Sequence, residues 1–77
     1  MYILISCYNG NIQTNKFDNH QYACARMARE FNAFCEEWEL DKNDFNQCYI
    51  NDSIYNCYAY VVHEYFGERC DWRIIEV

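Results

Sequence analysis

The clearest pattern of apolar and polar positions lies between His20 and Glu39. Apolar side chains recur there at spacings of three and four residues, with charged side chains between them, as in an amphipathic helix. Asp18 is a candidate N-cap, and Gln21 follows three residues later as in a capping box. The sequence therefore predicts a helix over about residues 20–39, with an apolar stripe of Cys24, Met27, Ala28, Phe31, Cys35 and Trp38.

The segment before this helix predicts a strand and a turn. Tyr2–Tyr8 is rich in β-branched and aromatic residues, and the turn-forming Asn9-Gly10-Asn11 follows it. Asn9-Gly10 could alternatively turn the chain directly into a short pairing segment, Ile12–Asn15, and this alternative stays open.

The segment after the helix predicts a short helical turn and a hairpin. Asp41–Phe45 has a second cap-like start, and Asn56–His63 and Asp71–Val77 have the composition of strands joined by the loop Glu64–Arg69. The expected architecture is a single α+β domain over residues 1–77. It consists of a small antiparallel sheet of about three strands with one helix on one face.

Small and large side chains alternate in the penultimate strand. Ala59 and Val61 suit contact with the bulky helix stripe, which would place Tyr58 and Tyr60 on the far side of the sheet. An exposed aromatic patch of this kind is typical of an interaction surface. The opposite alternation, with the tyrosines under the helix, is the competing interpretation. In strand one we expect the inward residues to be Ile3, Ile5 and Cys7, and the outward residues to be Tyr2, Leu4 and Tyr8.

Composition and charge narrow the class of partner. Hydrophobic residues make up 52% of the 77 residues and aromatic residues 19%, so the chain has enough apolar area to fold. The formal net charge of −6 opposes binding to nucleic acid and to anionic membranes. A protein partner with a basic surface, such as a nucleic-acid-binding effector, would instead be attracted.

The acidic residues form a second candidate surface. Glu30, Glu37, Asp41 and Asp44 follow one another at spacings of seven, four and three residues, and would line one edge if helix and turn were continuous. Such an array can resemble a phosphate backbone to a basic groove. An ordinary solubilising surface is the competing interpretation. The candidate partner-binding residues are Glu30, Glu36, Glu37, Glu39, Asp41, Asp44, Tyr58 and Tyr60.

Residues able to carry metal or catalytic chemistry are present but scattered. His20 lies four residues before Cys24, and His63 and Cys70 flank the hairpin loop, yet no close cysteine pair of the C-x-x-C type occurs. One helix over a small sheet also leaves little room for a pocket. We therefore expect no metal, no cofactor and no enzymatic activity. The N-terminal segment lacks a basic region, which favours a cytoplasmic chain with six reduced cysteines.

The opening strand, the helix start Phe17-Asp18-Asn19 and the terminal segment Asp71–Val77 resemble small orphan proteins of phages and mobile elements in Firmicutes-type bacteria. The resemblance covers the layout of the whole chain and no diagnostic motif. Proteins of this kind include anti-CRISPR inhibitors, many of which occupy a nucleic-acid-binding groove or block a conformational change. The resemblance implies a non-enzymatic inhibitor of a nucleic-acid-handling complex in the bacterial host cytoplasm. A structural homodimer that buries its aromatic sheet face is the alternative, followed by a small cysteine- or metal-dependent enzyme.

Overall fold

The described part of the chain forms one helix and a five-stranded antiparallel sheet. The computed structural model describes residues 1–53 and 56–77. In chain order the elements are β1 (Tyr2–Tyr8), β2 (Asn11–Phe17), α1 (His20–Glu37), β3 (Cys48–Asn51), β4 (Tyr58–His63) and β5 (Glu68–Glu76). The spatial order of the strands is β2-β1-β5-β4-β3, and α1 packs on one face of the sheet. The expected α+β class is confirmed, but the expected count of about three strands is wrong because β2 and β3 are additional.

The first hairpin turns at Asn9-Gly10. Both residues have positive φ angles, 49° and 87°, and Tyr8 pairs with Asn11 across the turn. A two-residue turn with both central residues in the left-handed region matches the twist of antiparallel strands, and Asn-Gly is its preferred sequence. The alternative of a direct turn into a pairing segment is therefore the correct one. The segment is the full strand β2 and not only Ile12–Asn15.

The start of α1 has a cap one residue later than the sequence predicted. The side chain of Asn19, not that of Asp18, accepts a hydrogen bond from the Tyr22 N–H at 2.9 Å. Asn19 has extended backbone angles, as an N-cap residue requires.

The end of α1 comes at Glu37, two residues before the predicted end. Glu39 has a φ of 52°, and its N–H donates to the Glu36 carbonyl at 3.3 Å. The Leu40 N–H donates to the Cys35 carbonyl at 2.9 Å. These two bonds form a Schellman motif, which ends a helix by turning the chain into the left-handed region.

Replacing Asn19 by alanine should lower the free energy of unfolding by about 1 kcal/mol, because the Tyr22 N–H loses its side-chain acceptor. Asp18→Ala is the matched control, since Asp18 is exposed and precedes the cap. We expect that control to change stability by less than about 0.5 kcal/mol. Urea denaturation followed by circular dichroism measures both values. A larger loss in Asp18→Ala than in Asn19→Ala would show that the cap is assigned to the wrong residue.

The core lies between α1 and the sheet. Four helix side chains spaced four residues apart are buried: Ala23, Met27, Phe31 and Cys35. Burying a side chain of the size of methionine or phenylalanine contributes about 1.5–3 kcal/mol. The sheet and its adjoining residues contribute Leu4, Cys48, Cys57, Ala59, Val61, Cys70, Trp72 and Ile74 to the same core.

The alternation predicted for β4 is confirmed. Ala59 and Val61 are 1% and 0% exposed and face α1, so Tyr58 and Tyr60 lie on the opposite face of the sheet. The competing interpretation, with these tyrosines under the helix, is wrong.

The orientation expected for β1 is wrong. Leu4 is 1% exposed, and Tyr2 packs against the same core. Tyr8 contacts the helix residues Phe34 and Trp38, with ring centroids 5.5 and 6.4 Å apart. Both sides of β1 are largely apolar, so alternation along its sequence cannot identify the buried side, and pairing with β5 decides it. The outward residues of β1 are Ile3, Ile5 and Cys7.

The remaining boundaries differ by two or three residues. β4 begins at Tyr58 and not at residue 56, while β5 begins at Glu68 and not at residue 71, which shortens the predicted loop. The predicted helical turn is instead a pair of turns, in which Asp44 N donates to the Asp41 carbonyl and Gln47 N to the Asp44 carbonyl, each at 3.0 Å.

Within the described ranges, no helix has both the length and the apolar character required to cross a bilayer.

Candidate protein-binding surface

The sheet has one face that α1 does not cover, which we call the open face. Residues paired directly across an antiparallel ladder project to the same side, so the register identifies the strand residues of this face. Its members are Ile12, Thr14 and Lys16 of β2; Ile3, Ile5 and Cys7 of β1; Arg69, Asp71, Arg73 and Ile75 of β5; Tyr58, Tyr60 and Val62 of β4; and Tyr49 and Asn51 of β3.

Four aromatic side chains lie in contact on one half of the open face, and we call them the aromatic row: Phe45, Tyr49, Tyr58 and Tyr60. The Tyr49 ring lies 5.4, 5.6 and 6.1 Å from those of Phe45, Tyr58 and Tyr60, respectively. The Tyr60 hydroxyl donates a hydrogen bond to the Phe45 carbonyl, which ties the chain before β3 to β4. Phe45 is 64% exposed. The row is thus an apolar surface that solvent partly reaches.

Charged residues of β5 lie beside the aromatic row. Arg69 pairs with Asp71, with its Nη2 2.9 Å from Oδ1 and its Nε 3.0 Å from Oδ2. The Arg69 guanidinium also lies over the Tyr60 ring, 5.2 Å from the centroid. Because both charged side chains are about half exposed, this pair adds at most about 1 kcal/mol to stability. The ion pair also holds the Arg69 guanidinium against the Tyr60 ring.

Glu30 lies apart from the other predicted acidic residues. It is half-buried in the middle of α1, where its Oε1 accepts the indole N–H of Trp72 at 3.1 Å. Its Oε2 accepts a hydrogen bond from Arg26 at 2.7 Å. Both carboxylate oxygens therefore have partners within the domain, and Glu30 supports the core.

The other predicted acids gather where α1 ends, and we call them the acidic end: Glu36, Glu37, Glu39, Asp41 and Asp44. All but Asp44 are exposed. The Asp41 and Asp44 carboxylates accept hydrogen bonds from the N–H groups of Asn43 and Asn46, at 2.9 Å each. The Lys42 ammonium is directed to Asn32 of the helix, at 2.9 Å.

The acidic end and the aromatic row meet at Phe45. Phe45 directly follows Asp44 in the chain, and its ring contacts Tyr49. The last turn of α1 contains no basic residue, although negative charge there opposes the helix dipole by roughly 0.3–1 kcal/mol per group. The carboxylates of Glu36 and Glu37 therefore do not stabilise the helix that carries them.

A groove of about 560 Å³ lies between the first hairpin and α1. It is larger than the sequence predicted, because β2 extends the sheet beyond the width that the helix covers. Its lining includes Tyr8, Gln13, Phe34 and Cys70. Burial raises the pKa of the Cys70 thiol to about 12, so this thiol stays protonated at neutral pH. Cys70 is the cysteine among the described residues that line this groove. Because its thiol is protonated, it is a weak nucleophile.

The fold and this surface define an α+β domain with an open sheet face that carries four clustered aromatic rings. The chain matches no protein-family model, and comparisons with curated proteins and with solved structures give no significant match. What the surface can bind therefore follows from its own residues.

Two members of the aromatic row were missing from the predicted site. The sequence placed Phe45 in a helical turn and predicted no strand at Tyr49, whereas Tyr49 lies in β3 opposite Tyr60. The signal that could have found it is the β-prone run Cys48-Tyr49-Ile50, which is too short to stand out from its polar neighbours.

Proposed function

We propose that this protein binds another protein through the aromatic row and the acidic end, and that the partner presents a basic surface. The observation that carries this proposal is the cluster of four partly exposed aromatic rings on the open face, which the chain joins directly to Asp44 of the acidic end through Phe45. Solvent-facing aromatic clusters of this kind are characteristic of interaction surfaces.

The aromatic row supplies the contact area. Tyrosine offers a large, fairly rigid surface with a polar end, which is why it is enriched among the residues that dominate binding energy. Tyr58 and Tyr60 are half-buried in the isolated domain, so part of their conformational entropy is already lost before binding. A partner that covers them gains apolar burial at a reduced entropic cost.

The acidic end supplies the charge. The chain carries a net charge of −6, and the exposed acids at and after the end of α1 continue along the chain through Asp44 to Phe45 of the aromatic row. A basic partner would be steered to this region at low salt, and association would slow as salt increases.

In its narrower form, the proposal is that this protein inhibits a nucleic-acid-handling bacterial complex. The acidic end would occupy the place of phosphates in a basic groove while the aromatic row anchors the contact. The resemblance to small phage accessory proteins supports this form, and the charge sign is consistent with it. Binding would then compete with nucleic acid for the same surface of the partner.

A charge-reversal variant tests the acidic end without weakening the fold. Glu36→Lys with Glu37→Lys places positive charge where the helix dipole favours it, so a loss of binding cannot come from loss of the helix. Asp18→Lys with Glu76→Lys makes the same change in net charge at exposed sites elsewhere. A partner captured from bacterial lysate and then purified should bind the first variant at least about tenfold more weakly than the control, measured by calorimetry.

Tyr58→Ala tests the aromatic row in the same assay. We expect a loss of binding of at least about tenfold, since truncating an interface tyrosine often costs more than about 1 kcal/mol. Tyr22→Ala is the matched control, because Tyr22 is 65% exposed on the helix layer, on the other side of the molecule from the open face. Equal binding by Tyr58→Ala, the Glu36/Glu37 variant and both controls would refute the proposal. Light scattering that shows a dimer dissociated by Tyr58→Ala would favour a homodimer instead.

A further inference from the structure

Three metal-binding side chains converge at the start of α1. His20 and Cys24 lie one helical turn apart, and Cys57 lies immediately before β4. The Cys24 Sγ is 3.3 Å from the Cys57 Sγ and 3.4 Å from the His20 Nδ1. One ligand atom from each of the three residues lies within 4.8 Å of the others.

These separations suit a single thiophilic ion. In a tetrahedral zinc site, bonds of about 2.3 Å to sulfur and about 2.0 Å to nitrogen place neighbouring ligand atoms about 3.5–3.8 Å apart. The separations of Cys24 Sγ from its two neighbours differ from that range by less than about 0.5 Å. Small side-chain rotations would therefore bring the three groups around one ion.

The surroundings of the cluster also suit a cation. Cys57 is 4% exposed, and the other two ligands are half-buried, so the protein limits access of solvent to the site. The Tyr2 ring contacts the His20 imidazole edge-on, with centroids 5.3 Å apart, which restricts the orientation of the imidazole. The Asp52 carbonyl oxygen lies 4.0 Å from the Cys24 Sγ, and the negative charge of the Asp52 carboxylate acts on Cys57.

We propose that His20, Cys24 and Cys57 bind one Zn²⁺ ion. Binding forms two zinc–sulfur bonds and one zinc–nitrogen bond, and it releases the two thiol protons to solvent. A water molecule completes four-coordination. The sequence could not predict this site, because the spacing of His20 and Cys24 supplies only two ligands and Cys57 is 33 residues further along the chain.

The ion would connect two layers of the fold. Its helix ligands belong to the first turn of α1, and its third ligand leads directly into β4. Zinc would thereby fix the start of the helix relative to the strand that carries Tyr58 and Tyr60. The site is separate from the open face, so this proposal and the proposed function stand or fall independently.

Cobalt titration of the reduced full chain tests the proposal, since Co²⁺ bound to thiolates gives a sulfur-to-metal charge-transfer band. We expect one equivalent of Co²⁺ to bind and one equivalent of Zn²⁺ to displace it. Cys24→Ser and His20→Gln should each weaken binding at least about a hundredfold, because loss of an outer-shell partner alone costs about 10–100-fold. Cys7→Ser is the matched control, since it removes a half-exposed thiol on the open face and leaves the three ligands intact.

Alkylation followed by mass spectrometry provides the second readout. Zn²⁺ should protect Cys24 from alkylation in the wild-type chain and in Cys7→Ser, but not in His20→Gln, which retains both thiols. The proposal fails if the reduced chain binds no Co²⁺ or if the charge-transfer band persists unchanged in Cys24→Ser. It also fails if Cys24 and Cys57 only form a disulfide, with a loss of two hydrogen masses and no metal uptake by the reduced chain.

Discussion

Replacing Trp72 by alanine is expected to lower the free energy of unfolding by about 3–5 kcal/mol. Trp72 is 2% exposed, and its ring contacts Phe31 and Phe34 of α1 edge-on, with centroids 6.2 and 5.6 Å apart. The substitution removes the largest fully buried side chain and leaves a cavity under the helix. Because domains are stabilised by only about 5–15 kcal/mol, most of the stability of this small domain would be lost.

Trp72→Phe separates the packing of the ring from its hydrogen bond. The phenylalanine keeps much of the apolar area but cannot donate to Glu30, which then retains only its partner Arg26. We expect an intermediate loss of about 1–3 kcal/mol, nearer the lower value because Glu30 is partly exposed. Urea denaturation followed by far-ultraviolet circular dichroism measures both variants. A loss below about 1 kcal/mol in Trp72→Ala would contradict the central position of this residue.

The helix and the class of fold were predictable because their signals are local. Apolar residues at spacings of three and four over 18 residues leave few alternatives to an amphipathic helix. The cap was misplaced by one residue because Asp18 and Asn19 are both good caps, and only the backbone angles distinguish them.

Of the two additional strands, β3 was missed and β2 was predicted only as the alternative pairing segment Ile12–Asn15. β3 has four residues, and it is a strand because it pairs with β4, where Cys48 lies opposite Val61 and Ile50 opposite Ala59. β2 is a mostly exposed edge strand, so its polar sequence lacks the apolar alternation of a half-buried strand. Its turn was visible in Asn9-Gly10, but its length was not.

The residues of the candidate sites were also predictable only where the local sequence determines their position. Tyr58 and Tyr60 were placed correctly because the small residues between them suit the helix. Phe45 and Tyr49 join them only through the pairing of β3 with β4. Cys57 meets His20 and Cys24 only after the helix has packed on the sheet. Contacts of this kind are set by topology, which spacing along the chain does not encode.

Leu4→Ala and Ile5→Ala should have unequal effects, and their order tests the orientation of β1. Leu4 is 1% exposed beneath α1, so its truncation should lower the free energy of unfolding by about 2–5 kcal/mol. Ile5 lies on the open face and is half-exposed, so its truncation should cost about 1 kcal/mol or less.

The two substitutions are closely matched, because they remove equal numbers of carbon atoms from adjacent positions of one strand. Isoleucine also favours strands more than leucine does, so β-propensity alone would make Ile5→Ala the more harmful change. The sequence-based orientation of β1 predicts that same order, whereas the pairing of Leu4 with Ile74 predicts the reverse. Denaturation of both variants decides between them, and a larger loss in Ile5→Ala would refute the assigned register. If the open face binds a partner, Ile5→Ala should in addition weaken binding while leaving the isolated domain folded.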